Sequence, residues 1–234
     1  MFKKYLYGGT VRDKLLNIES NDLDYVVVFD EPTGTEEAFE SLQKQLKSEG
    51  FDLFYVTSDG RYTIRSRYSK THEQYSDRYA DFTLSESNGT TSDLESFLRR
   101  CDFTINAIAM DAGGNYIDPM GGIIDLDRSI LTLCNDDVFN NDPIRILRYF
   151  RFKYRFGLGR TTTNFDSWCC FERIKEVGVD NFASVSDNRI KDELFKCFKD
   201  PAVGCKIVCD LQSVVPEICD YIFSKFKLRA SLIK

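Results

Sequence analysis

The chain has 234 residues, of which 42% are hydrophobic and 14% aromatic, enough apolar area for a self-sufficient core and too much for a disordered chain. Its formal charge of −6, from 31 Lys and Arg against 37 Asp and Glu, excludes a generally basic surface and confines nucleic-acid binding to a local patch. The longest unbroken apolar run, Tyr25 to Phe29, is far short of the roughly 20 residues of a membrane helix, and Met1 to Tyr5 lacks an apolar signal core. A soluble, cytoplasmic protein of one domain with a helical extension is expected. Eight Cys are scattered without a C-x-x-C pair and His72 is the single His, so free thiols are expected rather than zinc or a disulfide framework.

In chain order, Gly8-Gly9-Thr10-Val11-Arg12-Asp13 precedes a helical continuation through Leu15 and Leu16. A glycine pair at a helix start lets backbone N–H groups approach a phosphate, and Arg12 adds charge; an ordinary turn has the same spelling. Asp22-Leu23-Asp24 then runs into the β-branched Val26-Val27-Val28. Positions i and i+2 of a strand share a face, so Asp22 and Asp24 form either a solvated turn or an oxygen-donor pair that a divalent cation would relieve of its repulsion. Glu36 to Ser48 reads as a helix, and Phe51 to Val56, Arg61 to Arg67 and Tyr79 to Leu84 read as strands separated by polar turns. Asp81, inside the last of these, is either a further metal-directed carboxylate or an edge-strand charge.

From Asn141 the signal turns helical, with Asp142 as a candidate N-cap and Pro143 at the first helical position. Arg145, Arg148, Arg151 and Arg155 fall along one side of that helix, with Ile146, Leu147, Phe150 and Tyr154 on the other. Without local acids to compensate them, these arginines favour an anionic ligand. Ser186 to Phe198 reads as an amphipathic helix with a Ser cap and Ile190, Leu194 and Phe198 on its apolar face. The resulting class is α+β, with residues 1–140 as a mixed unit and residues 141–234 as a helical one.

Six ordered motifs, GGTVRD (8 to 13), DLD (22 to 24), ADFTLS (80 to 85), RRCDFTINAIAM (99 to 110), IDPMGGIIDL (117 to 126) and NDPIRILRYFRF (141 to 152), resemble the class II tRNA nucleotidyltransferases and bacterial poly(A) polymerases of the DNA polymerase β superfamily. VSDNRIKDELFK (185 to 196) is similar to that family's helical neck. The resemblance implies a nucleotidyltransferase head of small mixed β-sheet and flanking helices, followed by an all-helical neck. It implies addition of CMP, and in part AMP, from CTP and ATP to the 3′ end of tRNA with release of pyrophosphate. Poly(A)-like RNA tailing and NMP transfer to a protein hydroxyl stand as alternatives. Asp22 and Asp24 would bind Mg²⁺ in a two-metal type site, and Asp81 would help deprotonate the RNA 3′-hydroxyl. Gly8, Gly9 and Arg12 would hold the triphosphate, with Arg100 near it; Asp102 would meet the ribose, supported by Asn106. Asp142 and Arg145 would select the base, Arg148 would touch phosphate, and Arg151 and Arg155 would contact RNA. Residues 118–125 would be a structural link.

Three departures from the family pattern stand out. Asn141 replaces a Glu that buttresses the selecting Arg, and Cys101 replaces the second Arg of the family's RRD. Only seven residues, Glu86 to Ser92, stand where many relatives carry a longer flexible loop tied to switching from C to A addition. Residues 57–79, rich in Arg and Tyr, are the candidate substitute for that loop.

Overall fold

A computed structural model of the chain describes residues 1–19, 22–57, 62–68, 79–158 and 164–227. Of the candidate substitute for the switching loop, Arg61, Tyr75 and Arg78 lie outside the described residues, as does the side chain of Asp22. The chain divides into two compact units, Met1–Ile123 and Ile124–Lys234. Residues 124–140, read from sequence with the first part, group with the helical second unit.

The first unit is built on a seven-stranded mixed sheet of order β3-β4-β5-β2-β1-β8-β9. Its strands are β1 (Phe2–Tyr7), β2 (Asp22–Phe29), β3 (Phe51–Thr57), β4 (Thr63–Tyr68), β5 (Tyr79–Leu84), β8 (Ala109–Met110) and β9 (Tyr116–Ile117). Among them β2 and β5 run parallel and the other neighbours pair antiparallel. Leu23 and Val27 of β2, Ile64 of β4, and Ala80, Phe82 and Leu84 of β5 are buried on one face of the sheet. They form a core with Ala38, Phe39, Leu42 and Leu46 of helix α2 (Thr35–Ser48). Tyr25 stacks on Phe82 across this face at 4.9 Å between ring centroids. Because strand residues alternate, burial of the odd positions of β2 turns positions 22, 24 and 26 to the opposite face. Helix α1 (Gly9–Leu15), with Thr10, Val11, Arg12 and Asp13 buried, follows β1 and packs against β1 and β2.

The segment Ser85 to Asp93 is folded. Strands β6 (Glu86–Ser87) and β7 (Thr90–Thr91) pair as a hairpin. Its two-residue turn, Asn88-Gly89, has positive φ at both positions (53° and 80°), the requirement of a tight type I′ hairpin. Thr33 N–H donates to Thr91 Oγ1 at 2.9 Å and Thr35 N–H to Gly89 O at 3.0 Å, tying the hairpin to the start of α2.

After α3 (Leu94–Leu98) and a 3₁₀ turn at Thr104–Asn106 comes α4 (Gly122–Arg128). Asp118 accepts from the N–H of Gly122 at 2.8 Å and of Ile123 at 2.9 Å, capping α4. Gly121 has φ +74°, and a Cβ on Gly122 would lie 2.1 Å from the Thr104 carbonyl oxygen. The Gly-Gly pair is there because one position bends the chain and the next lets α4 touch backbone.

The second unit is helical: α5 (Val138–Asn141), α6 (Arg145–Arg155), α7 (Asn164–Glu176), α8 (Gly178–Ala183), α9 (Asp187–Cys197), α10 (Pro201–Val214) and α11 (Pro216–Phe226). Ile146, Leu147, Tyr149, Phe150 and Phe152 bury one side of α6. The expected cap is corrected here. Asp142 ends α5, α6 begins at Arg145 after Ile144, and no side chain caps α6. The Asp142 carboxylate is instead taken by Arg189 of α9.

Candidate active site

The acidic face of the sheet follows from its register. Asp24 of β2 is the partner of Asp81 on β5, and Asp22 is the partner of Tyr79. Adjacent strands lie about 4.8 Å apart, so Asp24 and Asp81 are side by side, with position 22 on the same face of β2. Two adjacent carboxylates repel unless a positive charge intervenes. A positive charge reaches Asp81 from β4, on the side of β5 away from Asp24: Arg65, register partner of Asp81, donates from Nε to Oδ1 at 2.8 Å and from Nη2 to Oδ2 at 2.6 Å. The fork geometry suits a carboxylate. The sequence reading placed Arg65 only in the candidate substitute for the switching loop; its pairing with Asp81 escaped that reading because the acid lies on another strand.

Oxygen donors on one strand face are the chemistry that suits a hard cation such as Mg²⁺; of these, the side chains of Asp24 and Asp81 are described, the latter paired with Arg65. Among the described residues no three His, Cys, Asp or Glu converge on one point; Asp22 is placed by its backbone alone.

On the β1 side of Asp24 stands the glycine turn. Gly8 has φ +68° and ψ −136°, a conformation that glycine adopts without the Cβ penalty. The Asp24 N–H donates to Thr10 Oγ1 at 3.1 Å, so the turn is tied directly to β2. Arg12 is buried, at 4% exposure. Its Nη1 donates to Asn106 Oδ1 at 2.5 Å, and its Nε and Nη2 donate to Asp13 Oδ1 at 2.8 and 2.6 Å. Asn106 Nδ2 donates to Asp102 Oδ1 at 2.8 Å, which also accepts the Phe103 N–H at 2.9 Å. Asp13, Arg12, Asn106 and Asp102 thus form one buried polar chain joining α1 to the RRCDFTINA segment. The structure brings together Gly8, Gly9, Arg12, Asn106 and Asp102, but it turns the Arg12 guanidinium inward. Arg100 lies over the Phe97 ring at 5.9 Å, and Arg99 pairs with Glu95 at 2.5 Å.

In the helical unit, Asp142 is buried and accepts from Arg189 Nη2 at 2.7 Å, while Arg145 Nε is 3.9 Å from the same oxygen. Arg145 Nη1 also reaches the Val138 carbonyl at 3.4 Å. Arg189 was missed from sequence, although it lies in the neck-like VSDNRIKDELFK segment, four positions before Glu193 and therefore on the same helix face.

The uniform cationic side expected for α6 is corrected. Arg151 is 5% exposed and pairs with Glu193 of α9, and Lys153 pairs with Asp210 of α10 at 2.7 Å, an oxygen that also accepts from Tyr154 Oη at 2.7 Å. The compensating acids come from neighbouring helices, where counting charges along one helix cannot see them. Arg155 is exposed, and Arg148 is half-buried with its guanidinium 5.2 Å from the Phe152 centroid.

Residues 4–132 match the poly A polymerase head domain. The chain belongs to the poly A polymerase head-domain family. Among curated relatives of this family member, the multifunctional CCA protein of Nitrosospira multiformis is 39% identical over 66% of the chain and 35% of its own length. The CCA-adding enzyme of Buchnera aphidicola subsp. Schizaphis graminum is 35% identical over 92% of the chain and 51% of its own length. The chain thus spans about a third to a half of these relatives. Among solved structures, the Thermotoga maritima CCA-adding enzyme complexed with tRNA superposes with a TM-score of 0.70 at 25% identity, covering 96% of this chain and 49% of that one. A CCA-adding enzyme complexed with ATP gives the same TM-score, identity and coverage. No described helix is long and apolar enough to cross a membrane.

Proposed function

We propose that this head-domain family member is a cytoplasmic RNA nucleotidyltransferase that adds CMP, and to a lesser extent AMP, to the 3′ end of tRNA. Residues 1–140 carry out the transfer, and residues 141–234 choose the nucleotide and touch RNA. The observation that carries the reading is the Asp24–Asp81 register pair beside the glycine turn, which brings an oxygen-donor face next to a candidate phosphate seat. The RNA 3′-oxygen attacks the α-phosphorus of the nucleotide, a new P–O bond forms, and the α–β bond breaks to release pyrophosphate. Asp22 and Asp24 would hold Mg²⁺, which when bound would neutralise charge at the triphosphate and lower the pKa of the attacking hydroxyl. Asp81 accepts the hydroxyl proton. The Gly8-Gly9 backbone presents N–H groups to the triphosphate, while Arg12 and Asn106 keep that turn in shape and hold Asp102 toward the ribose. Asp142 and Arg145 offer a hydrogen-bonding edge to the base and replace a template strand, and Arg148 faces phosphate. Most of the rate comes from positioning and from charge stabilisation.

The test is incubation with labelled CTP, Mg²⁺ and tRNA lacking its CCA end, alongside candidate protein acceptors. Label is expected in RNA. Label in protein instead would move the activity to a hydroxyl side chain, and homopolymer tails with ATP would identify a poly(A) polymerase.

A further inference from the structure

An exposed aromatic and cationic cluster lies beside the carboxylate face, on the side away from the glycine turn. Tyr79 is the register partner of Asp22 and shares its strand face with Asp81. It is 43% exposed, and Phe54 on β3 is 53% exposed. Their rings meet edge to face at 5.6 Å between centroids. Phe51 and Leu53 pack on the core side of β3, so alternation turns Phe54 to the opposite face, the one that carries Tyr79 and Asp81; the β3–β4 register shift falls between Leu53 and Tyr55. The Arg65 guanidinium, which grips Asp81, is 5.8 Å from the Tyr79 ring centroid. Two large aromatic groups left in water beside a cation cost solvation unless a planar partner covers them.

The order of strands says which partner. In β3-β4-β5-β2-β1, Asp24 stands between the glycine turn that follows β1 and the Tyr79, Arg65 and Phe54 cluster on β5, β4 and β3. In an in-line displacement the attacking and leaving oxygens lie on opposite sides of the phosphorus. If pyrophosphate departs toward the glycine turn, the attacking hydroxyl enters from the β5 side, where Asp81 stands. Tyr79 is two residues from Asp81, about 6.6 Å along the strand, a span comparable with the distance from a nucleoside's 3′-oxygen to its base.

We propose that Tyr79 and Phe54 form the stacking seat for the terminal base of the acceptor RNA, and that Arg65 links the seat to Asp81. This rests on the nucleotidyltransfer reading above. The seat takes the last base of a single-stranded 3′ end of any identity, since every base has a π-face. Arg65 is a positioning residue: it holds the carboxylate and borders the seat, so a seated base brings its own 3′-hydroxyl to Asp81.

The test uses a short single-stranded RNA carrying 2-aminopurine at its 3′ terminus, together with steady-state transfer from CTP. The full chain is expected to quench the probe. Tyr79→Ala is expected to abolish the quenching and raise the KM for RNA about tenfold, with the KM for CTP changed less than about twofold; Tyr79→Phe is expected to restore both. Phe54→Ala gives a smaller change in the same direction, and thermal melts confirm that each variant folds. Unchanged quenching and RNA KM in folded Tyr79→Ala would overturn the seat, as would equal rises in both KM values. A full chain that quenches the probe but transfers no nucleotide would refute the activity and leave the seat standing.

Discussion

Asp24 and Asp81 are direct partners across two parallel strands, and Arg65, from a third strand, places a positive charge on Asp81 through two hydrogen bonds. The acidic face is therefore set by sheet register, while its electrostatic balance is set by a strand that neither carboxylate belongs to. The same logic recurs in the helical unit, where Arg189 of α9 holds Asp142 and Glu193 of α9 holds Arg151.

Base choice should depend on Arg189 as well as Arg145. Arg145→Ala is expected to compress discrimination between CTP and UTP by roughly 1 to 3 kcal/mol, because a wrong base edge no longer leaves a buried donor unpaired. Arg189→Ala is expected to compress it in the same direction by freeing Asp142 to rotate. Competition assays with mixed nucleotides read both effects, and a uniform slowing with all four nucleotides would assign Arg145 to phosphate alone.

Arg151 and Arg155 should separate in their effects. Arg151→Ala leaves the buried Glu193 with the exposed Lys196 at 3.8 Å in place of its buried Arg partner and is expected to destabilise the fold by about 3 kcal/mol, read by denaturant unfolding. Arg155→Glu is expected to leave stability within about 0.5 kcal/mol while weakening tRNA binding, with the loss growing as salt falls. A stable Arg151→Ala variant with weakened RNA binding would reverse the assignment.

Gly122→Ala should be among the more damaging single substitutions in the head. Its Cβ would lie 2.1 Å from the Thr104 carbonyl oxygen, so backbone must move, at a cost of about 1 to 3 kcal/mol or more. A melting temperature equal to that of the unaltered chain would show that α4 can shift freely.

Terminal A addition should be slow. The pocket must change shape between CTP and ATP, and the segment in the place of the relatives' longer loop is a hairpin pinned to Thr33 and Thr35. A tRNA ending in CC, offered ATP alone, is expected to react well below the rate of C addition to a tRNA lacking CCA; equal rates would refute the deficit. Asn88→Ala with Gly89→Ala, which removes the residues favoured at positive φ, would show whether releasing the hairpin changes that ratio.

Much of this was legible in the sequence. Strand alternation around Leu23, Tyr25 and Val27 places Asp22 and Asp24 on one face without any coordinates, and the run from Tyr79 to Leu84 does the same for Asp81. Asn88-Gly89 spells a hairpin turn, but its flanking strands are two residues each, too short for periodicity to register. The pairings of Arg65, Arg189 and Glu193 were illegible for a different reason. Their partners are 16, 47 and 42 residues away, and charge patterning along one element reports only neighbours three or four residues apart. That is why the arginines of α6 read as uncompensated when the fold supplies acids from α9 and α10. Asp142 before Pro143 has the spelling of a helix start, yet the tertiary pull of Arg189 outweighs the local cap.

The central claim is tested most directly by sequencing the 3′ ends of a tRNA lacking CCA after incubation with CTP and Mg²⁺, using the unaltered chain and Asp24→Ala in parallel. The account expects one or two added C residues with the unaltered chain. It expects a loss of at least about 10³-fold in Asp24→Ala, with an unchanged melting curve. Unextended RNA ends with the unaltered chain, or equal extension by folded Asp24→Ala, would contradict it.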